Sequence, residues 1–269
     1  MLLSERPLIC QYATPRQWAS ASKKPSRKTS MDVAIKPKNI ALSDIAAVDA
    51  AITSRRSCRQ FLPKPVPSEV IVDILEVASR APSGHNAQPW NVHVLTGAAL
   101  RRFTAAMVAS FNDYSLADQR VEDSDVYPTE WVSPYLERRR RVGGALYASL
   151  GIQRGDKERM HEQLRKNYEF FGAPVGMIFT VAEVMVRNVL DCGMFMQNIM
   201  IAARARQLET CPQAAFAVLR SAVQEALVLP DNVRVICGMA LGHSDGQSPA
   251  NGFVSEREPV TAFTRFYDT

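Results

Sequence analysis

Arg55-Arg56-Ser57-Cys58-Arg59 and Ala81-Pro82-Ser83-Gly84-His85-Asn86-Ala87-Gln88-Pro89-Trp90 carry most of what this sequence says. Three guanidinium groups within five residues repel one another unless something anionic sits among them. Arg with Ser suits a phosphate monoester, through forked, charge-assisted hydrogen bonds. The second stretch sets polar amides beside a Trp, which is the chemistry for a flat heterocycle. Together they point to a phosphorylated aromatic cofactor.

Working outward, Ile45, Val48 and Ile52 recur at helical spacing behind Ser43, a plausible N-cap, so a helix is expected to deliver the chain to the arginines. Cations suit a helix C-terminus, so helix capping stays open as the simpler role of Arg55 and Arg56. Pro65-Val66-Pro67-Ser68 leads into a second helix, with Ser68 expected as its cap and Val70, Ile71, Ile74, Leu75 and Ala78 as one face; Pro82 ends it. Val92 to Leu95 reads as a strand, and Gly97 as the turn into a helix over 98–109. From Phe111 to Thr129 the periodicity fades, which predicts a surface excursion or lid. Helices are expected over 134–150 and 154–169, the first bearing Arg138 to Arg141, a run that ordinarily makes a solvated face. Val175 to Val181 predicts a central strand, 188–207 the longest and most buried helix, and Asn232 to Ala240 another strand.

Composition excludes several classes. The chain has 269 residues, 46% of them hydrophobic, and no apolar run of roughly eighteen residues that would cross a membrane. Its five cysteines are scattered without a CxxC, which favours neither a disulfide framework nor a zinc site and fits a reducing cytoplasm. The net charge of +5 is a property of the start of the chain: residues 1–40 hold eight basic and two acidic side chains, +6, so the other 229 residues carry −1. That leaves no basic surface for nucleic acid on the folded part. The Ser-, Lys- and Pro-rich stretch within residues 1–40 is expected to be a disordered extension, with a nucleic-acid or membrane arm, an organelle transit segment, or a start at Met31 as alternatives. Residues 41–269 are expected to form one domain.

No GxGxxG follows a strand, and GxxxxGK[ST] and HExxH are absent. The four histidines have no metal-ligand spacing, so no metal is expected. Glu209-Thr210-Cys211-Pro212-Gln213-Ala214-Ala215 reads as a turn into a helix whose free N–H groups face a ligand. Cys211 is a weak candidate nucleophile, with no His base near it in sequence.

With these residues the chain resembles the FMN-dependent nitroreductase family, whose members carry R-R-S-x-R, A-P-S-x-x-N-x-Q-P-W, T-C-P-Q and N-x-x-x-x-x-R-x-P in that order. Here these are Arg55 to Arg59, Ala81 to Trp90, Thr210 to Gln213, and Asn251 through Arg257 to Pro259. The resemblance implies an α+β nitroreductase-like fold, a mainly antiparallel sheet flanked by helices in an intertwined homodimer with FMN at the subunit interface. It implies that Arg55, Ser57 and Arg257 bind the FMN phosphate with Arg56 beside them, and that Arg59 lies under the pyrimidine edge of the flavin. Pro82, Ser83 and Gly84 would come from the partner subunit, with Asn86 and Gln88 near the ring. Cys211, Pro212, Gln213 and Ala214 would approach flavin N5 and O4. Asn167 would also lie at the flavin, although Phe170 stands where many members have a Lys, and Gln207 replaces the Gly that usually closes the buried helix.

The activity so implied is ping-pong hydride transfer from NAD(P)H through flavin N5 to a nitroaromatic or quinone. The flavin carries the hydride and no catalytic side chain is required. Reductive dehalogenation, flavin fragmentation and azoline oxidation are alternatives within the family. A non-enzymatic, basic-tail protein bound to nucleic acid or membrane is the alternative outside it.

Overall fold

The run from Val175 is a central strand because it has neighbours on both edges and cover on both faces. The computed structural model describes residues 41–113 and 126–267, with Leu42 and Ser43 described in backbone only. From Ser43 onward the chain forms one compact unit. Strand β2 (Val175–Ala182) pairs antiparallel with β1 (Asn91–Thr96) on one side and β4 (Val233–Gly242) on the other, and β3 (Glu209–Gln213) closes the order β1-β2-β4-β3. All pairings among these four strands are antiparallel, in line with the mainly antiparallel sheet expected. The helices are α1 (Leu42–Ser54), α2 (Ser68–Ala78), α3 (Gly97–Asp113), α4 (Tyr135–Ser149), α5 (Lys157–Arg165), α6 (Val189–Ala205), α7 (Ala215–Val218) and α8 (Arg220–Leu227).

Alternation of side chains divides the core between the two faces of the sheet. Val175, Met177, Phe179, Met239 and Leu241 pack with Ile71 and Ile74 of α2 and Phe195 and Ile199 of α6. Ile178 and Ala240 face the other way, toward Leu100, Phe103 and Met107 of α3 and the rings of Phe170 and Phe216. Those two rings stack at 4.6 Å and press directly on the sheet. A Cβ at Gly176 would lie 2.5 Å from the Phe170 ring, and one at Gly238 2.2 Å from the Phe216 ring, so both strands need glycine there.

Several expectations change. Ser68 is the first residue of α2, Pro67 holds the cap position, and no side chain caps the helix. The Ser43 cap lies outside the described side chains. Helix α3 runs on to Asp113 because Phe111 is buried against His161 and Tyr168, and residues 114–125 of the expected excursion lie outside the described residues. The helix expected over 154–169 is α-helical only from Lys157 to Arg165; a 3-10 stretch, Lys166–Gly172, follows, and Phe170 and Phe171 turn to positive φ to bury their rings. Glu209 to Gln213 is a strand where a turn was expected. Helix α6 is buried along one side, but Val189 and Leu190 at its start are exposed.

The end of α6 shows what replacing Gly with Gln207 entails. Leu208 N–H donates to Ala203 O at 3.0 Å and Gln207 N–H to Arg204 O at 3.0 Å, the paired bonds of a Schellman closure. Gln207 therefore sits at φ 60, where an L side chain is disfavoured by about 1–2 kcal/mol. Because Gln207 is exposed, Gln207→Gly removes strain without opening a cavity. Urea unfolding of this variant should show a gain of about 1 kcal/mol, less the extra chain entropy of glycine; an unchanged or lower midpoint would contradict the closure described.

Candidate cofactor site

The arginine cluster is held by backbone pairing before any ligand is considered. Helix α1 ends at Ser54, and the next residues run alongside edge strand β3: Ser57 bridges Thr210 in parallel, and Cys58 N–H donates to Thr210 O at 3.0 Å. Thr210 thus points its backbone outward, away from β4. By alternation Pro212 does the same, at a position where a missing N–H costs no ladder bond, while Cys211 and Gln213 turn inward to Ala240 and Gly238. Of the stretch Cys211 to Ala214 expected to offer a free N–H, Cys211 and Gln213 therefore face β4, and Ala214 lies beyond the strand.

Asn251 fastens the cluster from the other end of the chain. Buried in a short 3-10 turn, it accepts from Arg59 N–H through Oδ1 at 2.7 Å and from Arg56 Nη1 through its backbone oxygen at 2.8 Å. Its Nδ2 donates to Gln60 O at 2.8 Å, Asp245 O at 2.9 Å and Ser244 Oγ at 3.2 Å. Arg56 is therefore fixed to Asn251, and helix capping does not account for it.

One carboxylate sits among the cations. Glu209 is buried and pairs with Arg204 at 3.1 Å, and Arg204 also donates to Ser54 Oγ at 2.8 Å. These side chains, with Thr53, Arg55, Arg56 and Val254, line a cleft of about 350 Å³. Burial raises the Glu209 carboxyl above its ordinary value, while Arg204, Arg56 and Arg55 pull it back. Arg204, Arg56 and Arg55 thus act on the one carboxylate of Glu209, a surplus of positive charge around it. Three buried polar atoms of β3 lack a partner, Glu209 Oε2, Thr210 Oγ1 and Gln213 Oε1, and the first belongs to the cleft. Buried polar groups are nearly always satisfied. Surplus positive charge beside unsatisfied polar atoms fits an anionic, hydrogen-bonding ligand.

Other expected residues fall in three places. Asn167 is tied to the end of β3: its carbonyl accepts from Gln213 Nε2 at 2.5 Å, and its amide donates to Leu164 O at 3.0 Å. Ala214 follows β3 at the start of α7. Pro82, Ser83, Gly84, Asn86 and Gln88 form a separate loop, anchored where Gly84 N–H donates to buried Asp191 at 3.2 Å and Gln88 N–H to Ser83 Oγ at 3.0 Å. No hydrogen bond or ion pair among the described residues joins this loop to the arginine cluster. Its residues His85, Asn86 and Gln88 all have positive φ, a concentration of strain usual at binding sites. Arg257 is exposed and donates to Ser255 and Glu256 of its own segment, not toward Arg55 or Ser57. Sequence reasoning missed Arg204 and quoted Glu209 at the head of a stretch without giving it a role. Asn251 was quoted as the start of a motif but given no role.

Residues 52–243 match the model of the Nitroreductase family. A 4-nitrobenzoate reductase of Nocardioides sp. (strain LMS-CY) is 38% identical over 84% of this chain and 92% of its own length. An FMN and NADPH-dependent nitroreductase, NfnB, from sphigopyxis sp. strain HMH superposes with a TM-score of 0.75 at 32% identity, covering 82% of this chain and 99% of that one. The FMN-dependent NfnB from Mycobacterium smegmatis, solved in complex with NADPH, gives 0.74 at 28% identity over 83% and 100%.

Burial favours the neutral thiol at Cys58, Cys192, Cys211 and Cys237. Burial pushes Cys211 up to about 12 and Cys192 and Cys237 up to about 11, from an ordinary 9.0, so none offers a thiolate near neutrality. Each folded value lies above the unfolded one. The stability gained by keeping these thiols neutral is thus complete below about pH 8 and declines as pH rises through 9 toward 11–12. In a Cys10→Ser background, a chromogenic disulfide reagent at pH 8 should titrate no thiol before denaturant is added, and the urea midpoint should fall above pH 9. Prompt reaction of Cys211 in the native protein would restore it as a nucleophile.

Proposed function

The chain belongs to the nitroreductase family, and we propose that it is an FMN-dependent NAD(P)H oxidoreductase that reduces nitroaromatic compounds. The observation that carries this reading is the cation cluster Arg55 to Arg59, docked on β3 and secured by Asn251, beside buried polar atoms that lack partners. The donor set fits a phosphate monoester joined to a ring with hydrogen-bonding edges. When bound, FMN supplies a two-electron carrier between the nicotinamide donor and the nitro group. The NADPH dependence of the similar NfnB enzymes favours NADPH as donor, and the activity of the Nocardioides relative favours a nitrobenzoate as acceptor.

The residues divide the work. Arg55, Ser57 and Arg257 hold the phosphate, with Arg56 beside them, fixed to Asn251. Arg59, whose backbone is locked by Asn251 and which lies near Cys211, supplies a fixed cation to the ring. Gln213, Asn167, Cys211, Pro212 and Ala214 form the wall along β3. No side chain is needed as general acid, since nitro oxygens can take protons from water.

A second copy of the chain completes the site. Ile45, Val48 and Ile52 lie on one face of α1 and are 46%, 45% and 44% exposed, an apolar stripe left open among the described residues. The loop carrying Pro82, Ser83, Gly84, Asn86 and Gln88 is separate from the cluster of its own chain, which supports its service to the partner's cofactor. Residues 41–269 are the FMN-binding domain and residues 1–40 an extension. No helix among the described residues is long and apolar enough to cross a membrane, and Cys58, Cys192, Cys211 and Cys237 are free thiols, which supports work in the cytoplasm.

Purified protein should bind FMN and oxidise NADPH only when 4-nitrobenzoate or another nitroaromatic is added. Arg55→Ala should weaken FMN about tenfold or more, with activity recovered by excess FMN. Arg59→Ala should in addition lower the midpoint potential of the bound flavin by roughly 30 mV or more. A colourless protein that takes up no FMN would defeat the function. Equal effects of the two variants on affinity and potential would defeat the division of roles.

A further inference from the structure

The run Arg138 to Arg141 lies on α4, a helix with no buried residue. Such a helix has little packing to fix it and depends on polar contacts for its position. Two of these are ion pairs to the C-terminal segment: Arg138 Nε meets Glu258 Oε1 at 3.0 Å, and Arg141 Nη1 meets Glu256 Oε2 at 2.7 Å. Arg138 and Arg141 are three residues apart and share a helix face. Glu256 and Glu258 are two apart on a segment with neither helix nor strand, and both reach that face. Arg139 takes no part, lying 4.8 Å above the ring of Trp131.

Between the two captured glutamates stands Arg257, whose hydrogen bonds go to the oxygens of Ser255 and Glu256 and not to α4. We propose that Arg138 and Arg141 are a latch: by holding Glu256 and Glu258 they position the strap Ser255–Pro259, and with it Arg257, for a phosphate ester. The inference rests on the reading that Arg257 meets the FMN phosphate. Arg138 and Arg141 are positioning residues that do not touch the ligand. An unheld strap would lose conformational freedom on binding, and one already fastened at two points loses less. Both pairs are solvent-exposed, hence weak and screened by salt, so the latch can open for the cofactor to enter or leave.

The test is a cycle of FMN dissociation constants on the full chain, read by quenching of flavin fluorescence at low salt. The variants are Arg138→Ala/Arg141→Ala, Arg257→Ala, the three together, and the exchanged Arg138→Glu/Arg141→Glu/Glu256→Arg/Glu258→Arg. The latch variant should raise Kd about fivefold, the exchanged variant should recover most of that loss, and the latch substitutions should add nothing once Arg257 is gone. An unchanged Kd in the latch variant, with Arg257→Ala still weakening FMN, would overturn the latch alone. So would an equal loss in the Arg257→Ala background, since the arginines would then act without Arg257. An unchanged Kd for Arg257→Ala would instead overturn the role of Arg257 itself, and the latch with it.

Discussion

A single buried amide, Asn251, holds the arrangement on which the rest depends. Three arginines within five residues do not stay together unaided, because each guanidinium raises the cost of placing the next. Here the chain carrying them is fixed from two sides, by the Cys58 to Thr210 backbone bond and by Asn251, which accepts from Arg56 and Arg59 and donates to Gln60, Ser244 and Asp245. Fully satisfied buried networks are rigid, and partly satisfied ones are costly. The amide must be Asn: an aspartate would set a second acceptor against the carbonyls of Gln60 and Asp245. The charges are thereby preorganised, and the carboxylate of Glu209 offsets only part of them.

That network needs a firm edge strand, and β3 is firm because the sheet behind it is packed on both faces. The rings of Phe170 and Phe216 lie flat enough on β2 and β4 to require Gly176 and Gly238. Phe216 belongs to α7, directly after β3, and Phe170 to the 3-10 stretch that also holds Asn167. The same aromatic stack that fills the core therefore fixes the two ends of the Gln213 to Asn167 hydrogen bond. Packing and site geometry are one problem at this edge.

Much of this was legible in the sequence, for physical reasons that differ from element to element. Val175 to Val181 announced a central strand because a strand covered on both faces has no polar alternation. Gln207 was legible only as a missing Gly at the helix end; the structure keeps the left-handed closure, with Gln207 at φ 60. Strand β3 was misread because Pro212 looks like a breaker, and only an edge position makes it harmless. The partners of Arg138 and Arg141 lie 120 and 115 residues away, beyond any local pattern, so the run read as a solvated face. Glu209 looked like an ordinary charged residue until the fold surrounded it with arginines. The uncovered stripe Ile45, Val48 and Ile52 was visible as helical spacing, but the spacing alone implied burial within the chain.

The central claim is that the cluster Arg55 to Arg59 exists for a phosphate monoester and not merely for a flat ring. Its most direct measurement compares the dissociation constants of FMN and riboflavin, which differ only in the phosphate, under one low-salt condition. Several charge-assisted bonds to that group predict riboflavin binding at least about a hundredfold more weakly than FMN. Equal affinities for the two would contradict the account.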